Sequence, residues 1–280
     1  MNEMEDMSTV DDIKKAANIQ YWLWLTQIPY VGPVISGRLL EKFITAEAVY
    51  YASEEQLKQI SGITKRQIAS ILQTRSLDTA NCILENCRQK QISILTKDDA
   101  RYPLKAKRVK DAPPVLYYQG ILPAELPVDP INDNRLQKTV GIVGARRCTY
   151  EAKRCCVDIT KQCIENHELV ISGMAKGIDA SAGTVCINSN AYTIAIVGNG
   201  LDICYPAEHL RLMERIRERG LLLSEYPPGT EPSEYTFPRR NRLIAAWSDR
   251  LIVIAAGRGS GAMITANYAK QYGRQVDFFL

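Results

Sequence analysis

The sequence predicts an α/β protein in which a small all-helical domain precedes a mostly parallel β-sheet covered by helices. Over residues 10–89 the apolar residues recur at the spacing of successive helices. After Lys138, short apolar runs alternate with helical segments. Apolar runs of this kind are typical of strands that are buried on both faces of a parallel sheet.

The N-terminal domain is predicted to span residues 1–89, with helices at residues 10–27, 33–43, 53–60, 64–73 and 76–89. Two of its turns, residues 28–33 and 60–64, resemble those of a tandem, SAM-like helix-hairpin-helix, whose backbone amides can hold a DNA phosphate. Tyr30 and Thr64 stand where such turns usually have glycine. Packing or binding of a partner is therefore favoured at both turns.

The second domain is predicted to span residues 90–280 and to begin with an extension and linker over residues 90–137. The extension contains the strand-like runs ISIL and PVLYYQG, and the linker is rich in proline. Beyond it, strands are predicted at residues 139–145, 169–173, 192–198, 221–225, 250–256 and 274–279. The helices between them are predicted at residues 150–165, 178–187, 207–219, 240–247 and 262–272.

The composition is that of an ordinary globular protein, with 46% hydrophobic and 24% charged residues. No apolar run approaches the roughly 18 residues of a membrane-spanning helix, and the acidic N-terminus lacks the features of a signal peptide. We therefore expect a cytoplasmic protein that does not contact a membrane. The eight cysteines lack metal-ligand spacing, and four of them lie on one face of a predicted helix. We expect these four to pack in the core, and we expect no metal and no cofactor.

The net charge of +4 belongs entirely to residues 131–280, and ten arginines follow residue 200. Because arginine offers a planar set of donors that fits phosphate, this distribution is compatible with a phosphate-bearing partner. On charge alone, a solvated surface is the simpler interpretation.

Glycines and cations collect where three of the predicted strands end. Since ligands of parallel sheets bind beyond the carboxyl ends of the strands, these turns are expected to form one crevice for phosphate groups. None of the turns has the GxGxxG pattern of a dinucleotide site. For Asp179, capping of the next helix is an equally good interpretation. The candidate residues are Gly144, Arg146, Arg147, Ser172, Gly173, Lys176, Gly177, Asp179, Gly198 and Gly200.

A second candidate group is the run Phe237-Pro238-Arg239-Arg240-Asn241-Arg242. An aromatic ring beside three cations and an amide fits a site that stacks a base and holds backbone phosphates. Ser260 and Gly261 precede another predicted helix and can offer further amides to phosphate.

Together these runs resemble the DNA-processing protein A family, also called DprA or Smf. The resemblance covers nearly the whole chain. It rests on the runs YP…APPVLYYQG, GIVGARR, ISGMAKGIDASAG, TIAIVGNGLDICYP, LLSEYPPGTEPSEYTFPRRNRLIA and GRGSGAMITANYAKQYGRQV.

The resemblance implies an extended Rossmann-like fold that binds single-stranded DNA in a basic pocket. The residues that it places in this pocket are Arg146, Ser172, Gly173, Gly177, Asp179, Gly198, Gly200, Phe237, Arg240, Asn241 and Arg242. It also implies a recombination mediator rather than an enzyme, which delivers the strand to the RecA recombinase in natural transformation. Family dimers form through the sheet domain, so the resemblance implies a homodimer. The family's fold continues past the last predicted strand, so we expect this chain to be truncated at its C-terminus.

The chain departs from the family pattern at Gly183, where a histidine is usual, at Ala255 and Ala256, where an acidic residue is missing, and at Ala262, where serine is usual. Two alternatives stay open. One is a Rossmann-like nucleotide-binding sensor or nucleotide-processing enzyme, against which the absence of a PGGxGTxxE run counts. The other is a protein-interaction module that has lost its DNA pocket, against which the intact FPRRNR run counts.

Overall fold

The structure is a computed structural model that describes residues 18–125 and 138–280. The chain folds into two compact units. The first comprises the described residues up to Lys90 together with Thr96–Asp99 and Lys110–Val115, and the second comprises the rest. The first part of the helix predicted at residues 10–27, and most of the predicted linker, lie outside the described residues.

The first unit is helical. Its helices are α1 (residues 18–27), α2 (Pro33–Phe43), α3 (Ala46–Tyr51), α4 (Glu54–Lys58), α5 (Lys65–Gln73) and α6 (Asp78–Gln89). Helix α3 has only six residues and was not predicted, because a pattern so short shows little periodicity. The side chain of Thr45 starts this helix by accepting a hydrogen bond from the Ala48 amide.

The second unit contains the sheet, apart from Thr96 and Val115, which belong to the first unit. Its strands are β1 (Ser93–Thr96), β2 (Val115–Gly120), β3 (Thr139–Gly144), β4 (Leu169–Ser172), β5 (Thr193–Val197), β6 (Leu221–Ser224), β7 (Arg250–Ile254) and β8 (Gln275–Phe279). Its helices are α7 (Leu104–Lys107), α8 (Tyr150–Glu165), α9 (Ile178–Asn188), α10 (Leu210–Arg219), α11 (Thr236–Trp247) and α12 (Gly261–Gln271). Each strand and helix predicted after Lys138 is confirmed, with shifts at the ends.

The strand order of the sheet is β1-β2-β6-β5-β4-β3-β7-β8. Strands β3 to β8 pair in parallel with their neighbours, and β2 pairs antiparallel with β6. Helix α9 packs against both α8 and α10, whereas α11 packs against α12. Because all five helices also contact the strands, they form a layer on each face of the sheet. This arrangement confirms the predicted Rossmann-like fold class.

The chain leaves β3 through α8 toward β4, while the other neighbour of β3 is β7. The strand order therefore reverses between β3 and β7, and the carboxyl ends of strands beside such a point border a natural ligand crevice. This geometry places the glycine-rich turns after β3, β4 and β5 at one edge of the sheet.

The predicted cysteine face of α8 lies in the core. Cys156 and Cys163 are buried, Cys186 of α9 joins them, and Cys148 and Cys155 are half-buried against the same cluster. Burial raises the pKa of Cys156, Cys163 and Cys186 to about 12, so these thiols stay protonated. Among the described residues, no helix is both long and apolar enough to cross a bilayer.

Candidate nucleic-acid interface

A cleft opens at the carboxyl ends of β3, β4 and β5 and continues to the start of α12; we call it the strand-end cleft. The predicted site residues that line it are Gly144, Arg146, Gly173, Lys176, Asp179, Gly198, Phe237, Arg240, Asn241, Ser260 and Gly261. The structure thus brings together residues from five separate segments of the sequence.

The other predicted site residues lie outside this lining. Arg147 and Gly177 line a neighbouring groove between helices. Ser172 is buried, and its hydroxyl donates to the Ile142 carbonyl at 2.7 Å. Gly200 is buried and donates its amide to the Thr230 carbonyl at 2.9 Å. Of the remaining two, Arg239 is exposed and Arg242 is buried.

The turn after β4 requires glycine at Gly177. Its φ is +81°, and a Cβ there would lie 2.2 Å from the Ala145 carbonyl oxygen. The turns after β3 and β4 therefore touch through their backbones, which is possible only without a side chain at this position. Because Arg146 and Lys176 lie in these two turns, this contact holds both residues at the same side of the cleft.

The floor of the strand-end cleft contains a buried charged pair, Asp179 and Arg240. Arg240 is 4% exposed, and its Nη1 donates to the carbonyls of Gly173 and Ile196, the latter at 2.6 Å. Asp179 is 6% exposed and accepts from the amides of Gly144 and Gly173. Burial raises the pKa of Asp179 to about 6, even though the charge of Arg240 acts in the opposite direction.

The structure shows how the FPRRNR run is placed. Helix α11 begins at Thr236, not at residue 240, and Arg240, Asn241 and Arg242 are buried in its first two turns. The Asn241 amide donates to the Gly261 carbonyl at 3.0 Å, and Arg242 forms an ion pair with Glu225. These bonds to the protein hold the strand ends together, and contact of the three side chains with DNA stays a prediction.

Of the predicted cations, Arg146 and Lys176 line the cleft and are exposed, and Arg239 is exposed outside the lining. The guanidinium carbon of Arg146 lies 5.4 Å from the ring centroid of Phe237, a cation–π distance. Lys176 forms a 2.8 Å ion pair with Glu208, and both side chains are more than half exposed. An exposed pair of this kind is weak, so Lys176 is able to exchange it for a phosphate.

Tyr205 lines the cleft and was not among the predicted site residues. Its ring is 47% exposed and lies 5.5 Å, centroid to centroid, from the ring of half-buried Phe237, with the planes at 35°. The only signal in the sequence was the position of Tyr205 five residues after Gly200, in the turn that follows β5. Arg146, Phe237 and Tyr205 together place a guanidinium and two aromatic faces on one wall of the cleft.

In the helical unit, the two predicted hairpin turns have matching backbones. Tyr30 has φ +67° and Gly62 has φ +72°. Two contacts hold Tyr30 in this conformation. The guanidinium carbon of Arg66 lies 3.6 Å from the centroid of its ring, and the side-chain amide of Gln67 donates to its carbonyl at 2.9 Å. The Arg38 guanidinium donates to the Ser61 carbonyl at 2.8 Å. These contacts stabilise both turns.

The chain is similar to proteins with a shared role in DNA processing. A family model described as DNA recombination-mediator protein A matches residues 93–279, and a model described as a SAM-like helix-hairpin-helix tandem matches residues 24–74. Protein Smf of Synechocystis sp. is 38% identical over 256 residues, which are 91% of this chain and 63% of that protein. DNA processing protein DprA of Streptococcus pneumoniae is 36% identical over 200 residues, which are 71% of this chain and 66% of that protein.

Two solved structures resemble the fold. The X-ray structure of DNA processing protein A from Streptococcus pneumoniae has a TM-score of 0.75 and 29% identity, covering 92% of this chain and 84% of that one. DNA processing protein A from Helicobacter pylori, described for its single-stranded DNA binding mode, has a TM-score of 0.57 and 29% identity, covering 67% and 80%. The first family model alone spans more than half of the sequence. The chain belongs to the DNA recombination-mediator protein A family, the DprA or Smf proteins.

Proposed function

We propose that the chain binds single-stranded DNA in the strand-end cleft and acts as a recombination mediator. The observation with most weight is the wall formed by Arg146, Phe237 and Tyr205. Guanidinium groups hold phosphates, and aromatic faces stack on any base, so this combination suits a single strand of varied sequence. In a duplex the bases are stacked on one another and cannot reach such a wall.

The family and the Helicobacter pylori relative, described for its single-stranded DNA binding mode, support this proposal. Delivery of the strand to RecA and assembly into a homodimer belong to the same proposal. We expect RecA filaments to form faster on oligo-dT when the protein is present. An unchanged rate of filament formation would contradict delivery to RecA but would not affect the proposal that the chain binds single-stranded DNA.

The primary test is fluorescence anisotropy of labelled oligo-dT and of a duplex of equal length, at about 50 and about 200 mM salt. We expect tighter binding of the single strand, with an affinity that falls as the salt concentration rises. If a folded sample bound neither DNA, the proposal would fail. A nucleotide-binding role for the cleft would then be favoured.

Phe237→Ala is expected to weaken oligo-dT binding by about 1–3 kcal/mol, the usual contribution of one stacked base. Phe237→Leu is the control, because it keeps apolar packing against Gly198, whose Cβ position lies 3.1 Å from the ring, but removes the aromatic face. Both variants should therefore lose affinity by similar amounts, while circular dichroism shows an intact fold. Wild-type affinity in Phe237→Leu would assign the ring to packing alone.

Arg146→Gln is expected to lower the affinity and to make the plot of log K against log salt shallower by about 0.7–1, the effect of one lost phosphate contact. Arg154→Gln is a matched control, since Arg154 is exposed on α8 and lies outside the lining of the cleft. A salt slope equal to that of the wild type would mean that Arg146 does not contact phosphate.

A further inference from the structure

Beside the strand-end cleft lies a second depression, which we call the helix groove, bordered by the start of α8, by α9 and by α10. Its basic side chains are Arg147, Lys153, Arg211 and Arg215, in addition to Arg146 and Lys176. Glu208 is the one carboxylate among the described residues that line it, and its charge is already paired with Lys176. The helix groove is therefore strongly positive.

The helix groove and the strand-end cleft share two residues. Arg146 and Lys176 line both, so the boundary between the two depressions is itself basic. A polyanion that occupies the cleft can continue into the helix groove past these two cations. This continuity distinguishes the groove from an isolated cluster of surface cations.

The arginines of α10 form a stripe. Arg211, Arg215 and Arg219 are spaced four residues apart and are all exposed, so they occupy one face of the helix. Nη1 of Arg215 donates to the Asn188 side chain at 2.9 Å, and Nη1 of Arg219 donates to the Asn190 side chain at 2.7 Å. The neutral acceptors orient the guanidinium groups and leave their charge uncompensated.

The floor of the helix groove consists mainly of small, uncharged side chains. Ala180, Ser181 and Thr184 of α9 line it, with Val157 of α8 on one side and Leu212 of α10 on the other. Small side chains let a ligand backbone approach the helix closely. The length of the arginine stripe is about 12 Å at 1.5 Å per residue, which is enough for about three phosphates.

We propose that the helix groove binds the nucleotides of the single strand that flank the segment held in the strand-end cleft. This inference rests on the proposed function, because the same strand occupies both depressions. It predicts that affinity rises with oligonucleotide length beyond the few nucleotides that the cleft holds, and that the rise depends on the arginines of α10.

The test measures anisotropy of the full chain with labelled oligo-dT of about 6 and about 15 nucleotides, a range that matches the site sizes of single-strand binders. The variant is Arg211→Gln with Arg215→Gln. The control is Arg154→Gln with Lys270→Gln, which removes two exposed charges outside the groove lining. Thermal melts of both double variants check that the fold is retained.

We expect the groove variant to bind the short oligonucleotide within about twofold of the wild type. For the long one we expect a loss of at least about fivefold and a salt slope shallower by about 1.4, for two phosphate contacts on a single strand. The control should match the wild type at both lengths.

Equal losses at both lengths, or no loss at the long one, would overturn the groove proposal while short-strand binding still supported the cleft. A loss confined to duplex DNA would also overturn it and identify a duplex surface. If the wild type bound neither length, the proposed function and this inference would both fall.

Discussion

Gly173→Ala is expected to destabilise the sheet unit by about 3 kcal/mol or more and to abolish binding in the strand-end cleft. A Cβ at this position would lie 2.5 Å from Arg240 Nη1 and 2.5 Å from Asp179 Oδ2. Neither side chain can move aside, because both are buried and each is held by further hydrogen bonds. The added methyl group must therefore displace two buried side chains of opposite charge.

Urea denaturation followed by circular dichroism measures this effect as a change in the free energy of unfolding. Gly257→Ala is the matched control, because Gly257 also lines the cleft and a Cβ there would meet nothing within 4 Å. The control should stay within about 0.5 kcal/mol of the wild type, the usual range for a surface change. If both variants had equal stability, Asp179 and Arg240 would not close off the space beside Gly173.

Most elements of the sheet unit could be predicted from the sequence, because their signals are local. Helix α8 matches its predicted bounds, since the Thr149 side chain accepts from the Ala152 amide and the apolar face is continuous. The start of α11 was missed by four residues. Pro238 lies in the first turn of that helix, where its missing amide hydrogen costs no intrahelical bond.

The orientation of the candidate site residues could not be predicted in the same way. Charged side chains usually lie at the surface, and a sequence pattern alone places Arg240 and Arg242 there. Their burial depends on acceptors that are distant in sequence, such as the Gly173 and Ile196 carbonyls and the Glu225 carboxylate. Tyr205 was missed for a related reason, because its proximity to Phe237 arises only when the turn after β5 meets α11.

Arg240→Gln is expected to lower the free energy of unfolding by about 3–5 kcal/mol at pH 7.5, because it leaves the Asp179 carboxylate buried without a nearby opposite charge. Glutamine keeps much of the volume and one donor, so the loss reports mainly on charge. This outcome differs from that of Arg146→Gln, which should alter the salt dependence of binding while the fold stays intact.

The Arg240→Gln effect should depend on pH in a direction fixed by Asp179. Burial raises the pKa of Asp179 to about 6, above the value of about 3.9 for an unfolded chain. The folded state therefore holds this proton at a higher pH than the unfolded state, and proton uptake by Asp179 stabilises the fold as the pH falls from about 6 toward about 4. Without Arg240 the pKa of Asp179 should rise further, so the stabilisation by proton uptake begins at a higher pH.

Urea denaturation at pH 7.5 and at pH 5 therefore gives the decisive comparison, with the loss from Arg240→Gln smaller at pH 5. Asp179→Asn supplies the second test, since a neutral amide needs no cation beside it. The double variant should be less destabilised than the sum of the two single variants, by about 0.5–3 kcal/mol. Additive losses, or a loss from Arg240→Gln that is equal at both pH values, would show that Arg240 stabilises the strand ends through its carbonyl contacts alone. In that case the charge of Arg240 would not be needed to keep the Asp179 carboxylate buried in the floor of the cleft.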